Sequence, residues 1–264
     1  MKYLKLILSV LGIFLIFQFN LYSSQRVVLL SPAVGDIFIK LGLKDVVVGV
    51  TKHMKGFPKA KKVGSHLHPN IEIIKSLHPD YLIISSYRFF PKKFSRLIDA
   101  KIIVYNPKTL DGILKSIEKI GIVFHKEKES RDLCKKLKKM LKKIKKLKKK
   151  PKVIYEVMEN PYIVAGKKSI INDIIEKAGG INVINVDKSH VKFSEILVRF
   201  LNPEFYIYQI GPMNKNPVYP LKRKVFKGCK FHVIKVKEEK FARANTQSFE
   251  NVLYLNKIFS LYTK

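Results

Sequence analysis

The chain has 264 residues, a formal charge of +32 and 47% hydrophobic side chains, with 20 acidic residues against 52 Lys and Arg. That apolar fraction supports folded domains and excludes a disordered chain, and the charge excess directs attention to anionic partners. Two cysteines allow at most one disulfide, and the absence of tryptophan confines any aromatic stacking to Tyr and Phe.

At the start, Lys2 and Lys5 precede an apolar run from Leu6 to Phe19, and small polar residues follow at Ser23 and Ser24. This is the pattern of an export signal, expected over residues 1–24, and the run is shorter than the ~20 residues that cross a bilayer comfortably. The expected location is therefore periplasmic or otherwise extracytoplasmic, which argues against nucleic acid as the anionic partner. A first strand is expected over 26–30, ending at Ser31-Pro32, and a helix from Asp36 that Gly42 terminates. Strands over 46–50, 81–85 and 102–105 alternate with a helix over 70–77, and a loop rich in Lys, Gly and His covers 51–68. Strands alternating with helices indicate a largely parallel sheet covered on both faces.

Helices follow over 110–123 and, after a break near Phe124-His125, through a basic stretch to about residue 149. Between Lys126 and Lys150 thirteen Lys and one Arg surround Leu133, Leu137, Met140, Leu141, Ile144 and Leu147. Those spacings describe one buried stripe with the cations on the wet face. Pro151 ends this helix. Strands are then expected over 153–157, 162–165, 205–209 and 231–236, with helices over 169–178, 195–201 and 248–262. Cys134 and Cys229 fall in different halves, and their pairing stays open.

The two halves repeat one another. Asp36-Ile37-Phe38-Ile39-Lys40-Leu41-Gly42 matches Asp173-Ile174-Ile175-Glu176-Lys177-Ala178-Gly179. Glu72 leads into Leu77-His78-Pro79-Asp80-Tyr81, as Glu195 leads into Leu201-Asn202-Pro203-Glu204-Phe205. Repeated elements in one order imply two similarly built α/β lobes with a ligand cleft between them. The expected division is an N-terminal lobe over 25–125, a linking helix over 126–150 and a C-terminal lobe over 151–264.

These elements resemble the class III periplasmic binding proteins. The resemblance runs through Arg26-Val27-Val28-Leu29-Leu30-Ser31-Pro32, Val48-Gly49-Val50-Thr51, Val63-Gly64-Ser65 and Pro69-Asn70-Ile71-Glu72. In the second half Ala178-Gly179-Gly180-Ile181-Asn182-Val183, Ser194-Glu195 and Asn202-Pro203-Glu204 continue it in order. It implies two Rossmann-like lobes joined by one long α-helix and no catalysis. It also implies capture of a metal chelate (cobalamin, a ferric siderophore or haem) for an ABC importer. Glu72 and Glu195 match the glutamates that dock such proteins onto the permease dimer; each also suits a helix's first turn, where negative charge is favoured.

Open parallel sheets place ligands beyond the C-terminal ends of their strands. That assigns Ser31, Pro32, Lys52, His53, Met54, Ser65, His66, Tyr87 and Arg88 to the ligand surface of the first half. Tyr162, Gln209, Met213 and Arg243 are assigned to that of the second. Aromatics mixed with Arg, Lys and His suit a large anionic ligand. His53, His66 and His68 raise a second reading, delivery of a simple metal such as nickel or zinc, although no carboxylate cluster completes a ligand set. No dinucleotide fingerprint, P-loop or nucleophile elbow is present, so no enzyme is expected. The chain is expected to act as a monomer without a cofactor of its own, the chelate being cargo.

Overall fold

The computed structural model describes residues 25–262, so the expected signal over 1–24 lies outside the described residues. Two compact units are distinguished among the described residues: residues 25–30 with Lys44–Ile103, and Ser31–Leu43 with residues 104–262. Among the described residues no helix is long and apolar enough to cross a membrane.

The first unit is built on β1 (Val27–Leu29), β2 (Val47–Val50), β3 (Lys61–Lys62), β4 (Tyr81–Ile84) and β5 (Lys101–Val104), in the order β3-β2-β1-β4-β5. β1 is buried throughout and runs parallel to β2 and β4. Three consecutive aliphatic residues are what a strand covered on both faces requires. Asp80 aligns the start of β4 with β1 by accepting the Arg26 backbone N–H at 2.7 Å. Val28, Leu82 and Ile84 form one core with Ile74 of α2 (Ile71–Ser76) and with Phe90, which precedes α3 (Lys92–Ser95). The short β3 lies inside the segment expected to be loop. Its two residues are both exposed lysines, so no apolar alternation announces it.

In the second unit β6 (Lys152–Met158) is central, and the order is β11-β10-β6-β7-β9 with β8 also on β6. β8 (Ile181–Asn182) runs parallel to β6, as does β10 (Phe205–Ile210), and β11 (His232–Lys237) runs parallel to β10. β7 (Ile163–Ala165) and β9 (His190–Lys192) are antiparallel additions. Here α1 (Gly35–Lys40) and α6 (Ile170–Lys177) realise the repeated motif. Ile37 and Ile174 are fully buried, and Gly42 and Gly179 both take positive φ just past the helix end. The repeated aspartates each serve the start of another helix. Asp36 accepts the Thr246 N–H at 3.2 Å, just before α9 (Gln247–Tyr262), and Asp173 accepts the Leu110 N–H at 2.7 Å, where α4 (Leu110–Val123) begins. A carboxylate there meets unpaired backbone donors and the positive end of the helix dipole.

The basic helix is shorter than its stripe suggests. α5 spans Glu127–Leu141, and residues 142–150 leave the helix, correcting the expected helix to about residue 149. Tertiary contacts outweigh local propensity there: Asn256 on α9 accepts the Lys145 N–H and donates to the Lys145 carbonyl, both at 2.9 Å. The same amide donates to the Ala178 carbonyl at 3.1 Å. Cys134 on α5 is buried and donates to the Leu114 carbonyl of α4; burial pushes its thiol up to about 11. Both cysteines are free.

A charged network occupies the interior of this unit. Glu156 on β6 is fully buried, and Arg223 grips it with two nitrogens, at 2.6 and 3.0 Å. Asn214 donates to Glu156 at 3.1 Å, and the Tyr206 hydroxyl donates to it as well. Arg223 also meets Glu159 at 3.3 Å and Glu195 at 3.2 Å. Burial opposes the Arg223 cation, but the hydrogen bonds and charge of Glu156 outweigh it and raise the guanidinium pKa above its ordinary value.

Two stability outcomes follow. Removing one partner of a buried ion pair strands the other, so Arg223→Met is expected to lower unfolding free energy by about 3–5 kcal/mol in a denaturant titration. Asn256→Leu leaves three backbone groups without their partner and is expected to cost about 2–3 kcal/mol in the same titration.

Candidate functional site

In the first unit backbone hydrogen bonds tie together the loops after β2 and β3, and a ring contact brings the loop after β4 to them. Gly64 holds φ +90, and a side chain there would meet the His68 carbonyl at 2.6 Å. This allows a tight turn in which Ser65 N–H reaches the His68 carbonyl and Ser65 Oγ accepts the His68 N–H at 2.9 Å. The Lys52 N–H donates to the Gly64 carbonyl at 2.7 Å, joining the β2 loop to this turn. Next in the chain, Asn70 Oδ1 caps α2 through the Ile73 N–H at 2.9 Å. Glu72 stands exposed in that helix's first turn.

The β4 loop completes the group. Phe89 and Phe90 N–H groups both donate to the Ser86 carbonyl, and the Arg88 N–H donates to Ser86 Oγ at 2.9 Å. Phe90 anchors the loop in the core and leaves Tyr87 and Arg88 exposed. The ring of Phe89 meets His66 edge-on at 5.5 Å, and the Arg88 guanidinium lies 5.8 Å from the same ring. Lys92 lies 5.8 Å from the Tyr87 ring. The structure thus gathers His66, Tyr87 and Arg88 into one cationic and aromatic tip. Phe89 joins them, a residue whose part was visible only as one more aromatic in its loop.

Other expected residues lie elsewhere. Lys52 and His53 are exposed on the β2 loop, whereas Met54 is buried and its carbonyl accepts a hydrogen bond from Lys62 at 2.7 Å. Among the described residues no group of three or more His, Cys, Asp or Glu side chains is disposed to hold a metal ion.

In the second unit Ser31 is buried and donates to the Tyr105 carbonyl at 3.4 Å, with Pro32 half-buried beside it. The Tyr105 hydroxyl donates to the Ala244 carbonyl at 2.6 Å, next to Arg243. Glu238, at the start of α8 (Glu238–Phe241), accepts the Met213 N–H at 2.7 Å. Burial raises the Glu238 carboxyl, while the Met213 N–H and then the charge of Arg243 pull it back. Met213 and Arg243 are therefore gathered around Glu238.

Tyr162 and Gln209 are corrections. The Tyr162 hydroxyl pairs with that of Tyr206 at 3.0 Å inside the core, and Gln209, fully buried, accepts from Tyr155 and donates to the Val157 carbonyl. Their polar atoms are consumed internally, so neither belongs to a ligand surface. Ser31 and Met54 are likewise interior side chains. Glu195 begins α7 (Glu195–Leu201), as Glu72 lies in the first turn of α2, but only Glu195 carries an internal arginine partner.

Comparison with known proteins places these features in a family. The family model described as periplasmic binding protein matches residues 27–200. The high-affinity heme uptake system protein IsdE of Staphylococcus aureus is 28% identical over 172 residues, covering 61% of this chain and 59% of that relative's length. The crystal structure of S. aureus IsdE complexed with heme superimposes with a TM-score of 0.76 at 26% identity, covering 89% of this chain and 98% of that one. The vitamin B12 binding protein BtuF of Vibrio cholerae shares the fold, with a TM-score of 0.70 at 18% identity over 91% of this chain and 98% of that one. With a family match over most of its length, the chain belongs to the periplasmic binding protein family.

Proposed function

We propose that this chain is an extracytoplasmic binding protein that captures a metal chelate and delivers it to the permease of an ABC importer. The cargo class is a large organic chelate bearing negative charge: haem first, with cobalamin and ferric siderophores in the same class. The observation that carries this reading is the tip formed by His66, Tyr87, Arg88 and Phe89 in the first unit. A planar ring can stack on the exposed Tyr87, and Arg88 can pair with a carboxylate through two parallel hydrogen bonds. His53 and His66 each offer an imidazole, the donor that iron in a porphyrin accepts. The similarity to a relative named for heme uptake supports the order of candidates.

The reading assigns no catalytic step, no resident cofactor, no nucleic acid partner and a single chain as the working unit. Glu72 and Glu195 are assigned to permease docking, where a carboxylate can meet arginines through charge-assisted contacts. Delivery of bare nickel or zinc is the weaker reading, because it needs His53, His66 and His68 to act without further ligands.

A thermal-shift panel of haem, cobalamin, ferric siderophores, nickel and zinc tests the cargo. A cargo at a hundred times its Kd is expected to stabilise the protein by about 2.7 kcal/mol. A shift confined to bare metal and erased by a chelator would replace the chelate reading. Arg88→Ala and Arg243→Ala, measured separately by titration, are each expected to weaken an anionic chelate by about tenfold or more. In proteoliposomes holding the importer, Glu72→Ala combined with Glu195→Ala is expected to abolish uptake while cargo affinity stays unchanged. Normal uptake by that double variant would discard the docking assignment.

A further inference from the structure

The helix α7 has an unusual outer face. It is seven residues long; Val198 is buried and Leu201 packs against the core, so its inner side is accounted for. Ile196 and Phe200, four residues apart, share the opposite ridge. They are 48% and 81% exposed, and Leu197 beside them is also exposed. The neighbouring 3-10 turn Pro220–Lys222 adds the exposed Tyr219 and Leu221, and it is tethered to α7 by the Arg223–Glu195 ion pair.

Charge selects what covers this face. Two nearby carboxylates, Glu159 and Glu195, are both turned onto Arg223. The exposed charges beside the apolar residues are cationic: Arg199, Lys222 and Lys224. A second copy of the chain would bring two molecules of formal charge +32 together. An anionic surface with an apolar interior matches both halves of the pattern, since large apolar side chains can enter the acyl boundary while Lys and Arg reach headgroup phosphates.

We infer that the α7 face of the second unit seats on an anionic lipid bilayer. The inference goes beyond the proposed cargo and does not depend on it; it shares α7 with the docking assigned to Glu195, whose carboxylate lies at the helix start while Ile196 and Phe200 hold the outer ridge. Phe200 and Ile196 would enter the lipid, and the surrounding cations would hold the headgroups.

The chain contains no tryptophan, so Phe200→Trp introduces a single tryptophan, excited apart from the tyrosines, at the proposed point of insertion. Ile122→Trp serves as the reference, because Ile122 is 63% exposed on α4 of the same unit. Each full-length variant is mixed with vesicles of equimolar phosphatidylglycerol and phosphatidylcholine, and with vesicles of phosphatidylcholine alone. With the anionic vesicles, emission from position 200 is expected to shift to the blue and to be quenched by brominated acyl chains. Both effects should be lost at high salt, which screens surface charge. Emission from position 122 should stay unshifted, which separates seating through α7 from attachment through the apolar segment near the N-terminus. Four outcomes would overturn the inference. Position 200 could stay unshifted, both positions could shift alike, or phosphatidylcholine alone could act as strongly. A shift without vesicles that dilution reverses would assign the face to a second copy instead.

Discussion

Burying an ionised carboxylate is among the costliest things a fold can do, and the second unit does it at Glu156. The cost is offset by directional partners: a two-pronged contact from Arg223 and hydrogen bonds from Tyr206 and Asn214. Arg223 in turn organises its surroundings. Its guanidinium donates twice to the Val218 carbonyl, which holds the segment leading into the 3-10 turns, and it draws Glu159 and Glu195 inward. The position of α7, the charge of its face and the course of residues 211–226 all depend on this one cation. Such a pair adds little stability over an apolar replacement of both partners, but it tolerates very few other arrangements of its neighbours.

The repeated aspartates show a second economy of design. Asp36 and Asp173 occupy the same place in equivalent short helices, and each satisfies backbone donors at the start of a helix distant in sequence. A six-residue or eight-residue helix is too short to be stable alone. Using its first turn to cap another helix ties two marginal elements into one cooperative unit. The glycines that end both motifs, with φ of +72 and +93, turn the chain where a side chain would be strained.

The candidate ligand surface was partly legible from residue order. His66, Tyr87 and Arg88, all from loops that follow parallel strands, come together at one tip. Gln209 was misread for a physical reason. β10 is flanked by β6 and β11 and buried along almost its whole length, so its sequence carries no alternation to reveal which way a side chain points. A polar residue there looks like a ligand contact until its internal partners are known. The basic segment 142–150 failed similarly: its spacing is helical, but Asn256 claims the backbone at Lys145.

What the sequence determined by itself is what depends on short-range sterics and periodicity. The alternation of the main strands and helices, the glycine stop after the first repeat helix and the internal repeat are all written in residues a few positions apart. Tertiary structure alone decided which charges meet. Arg223 lies 67 residues from Glu156 and 28 from Glu195, and nothing in the local pattern of any of the three announces the others. Ion pairing is set by distance and desolvation in the folded chain, so it appears only once the sheet has brought those strands and loops together.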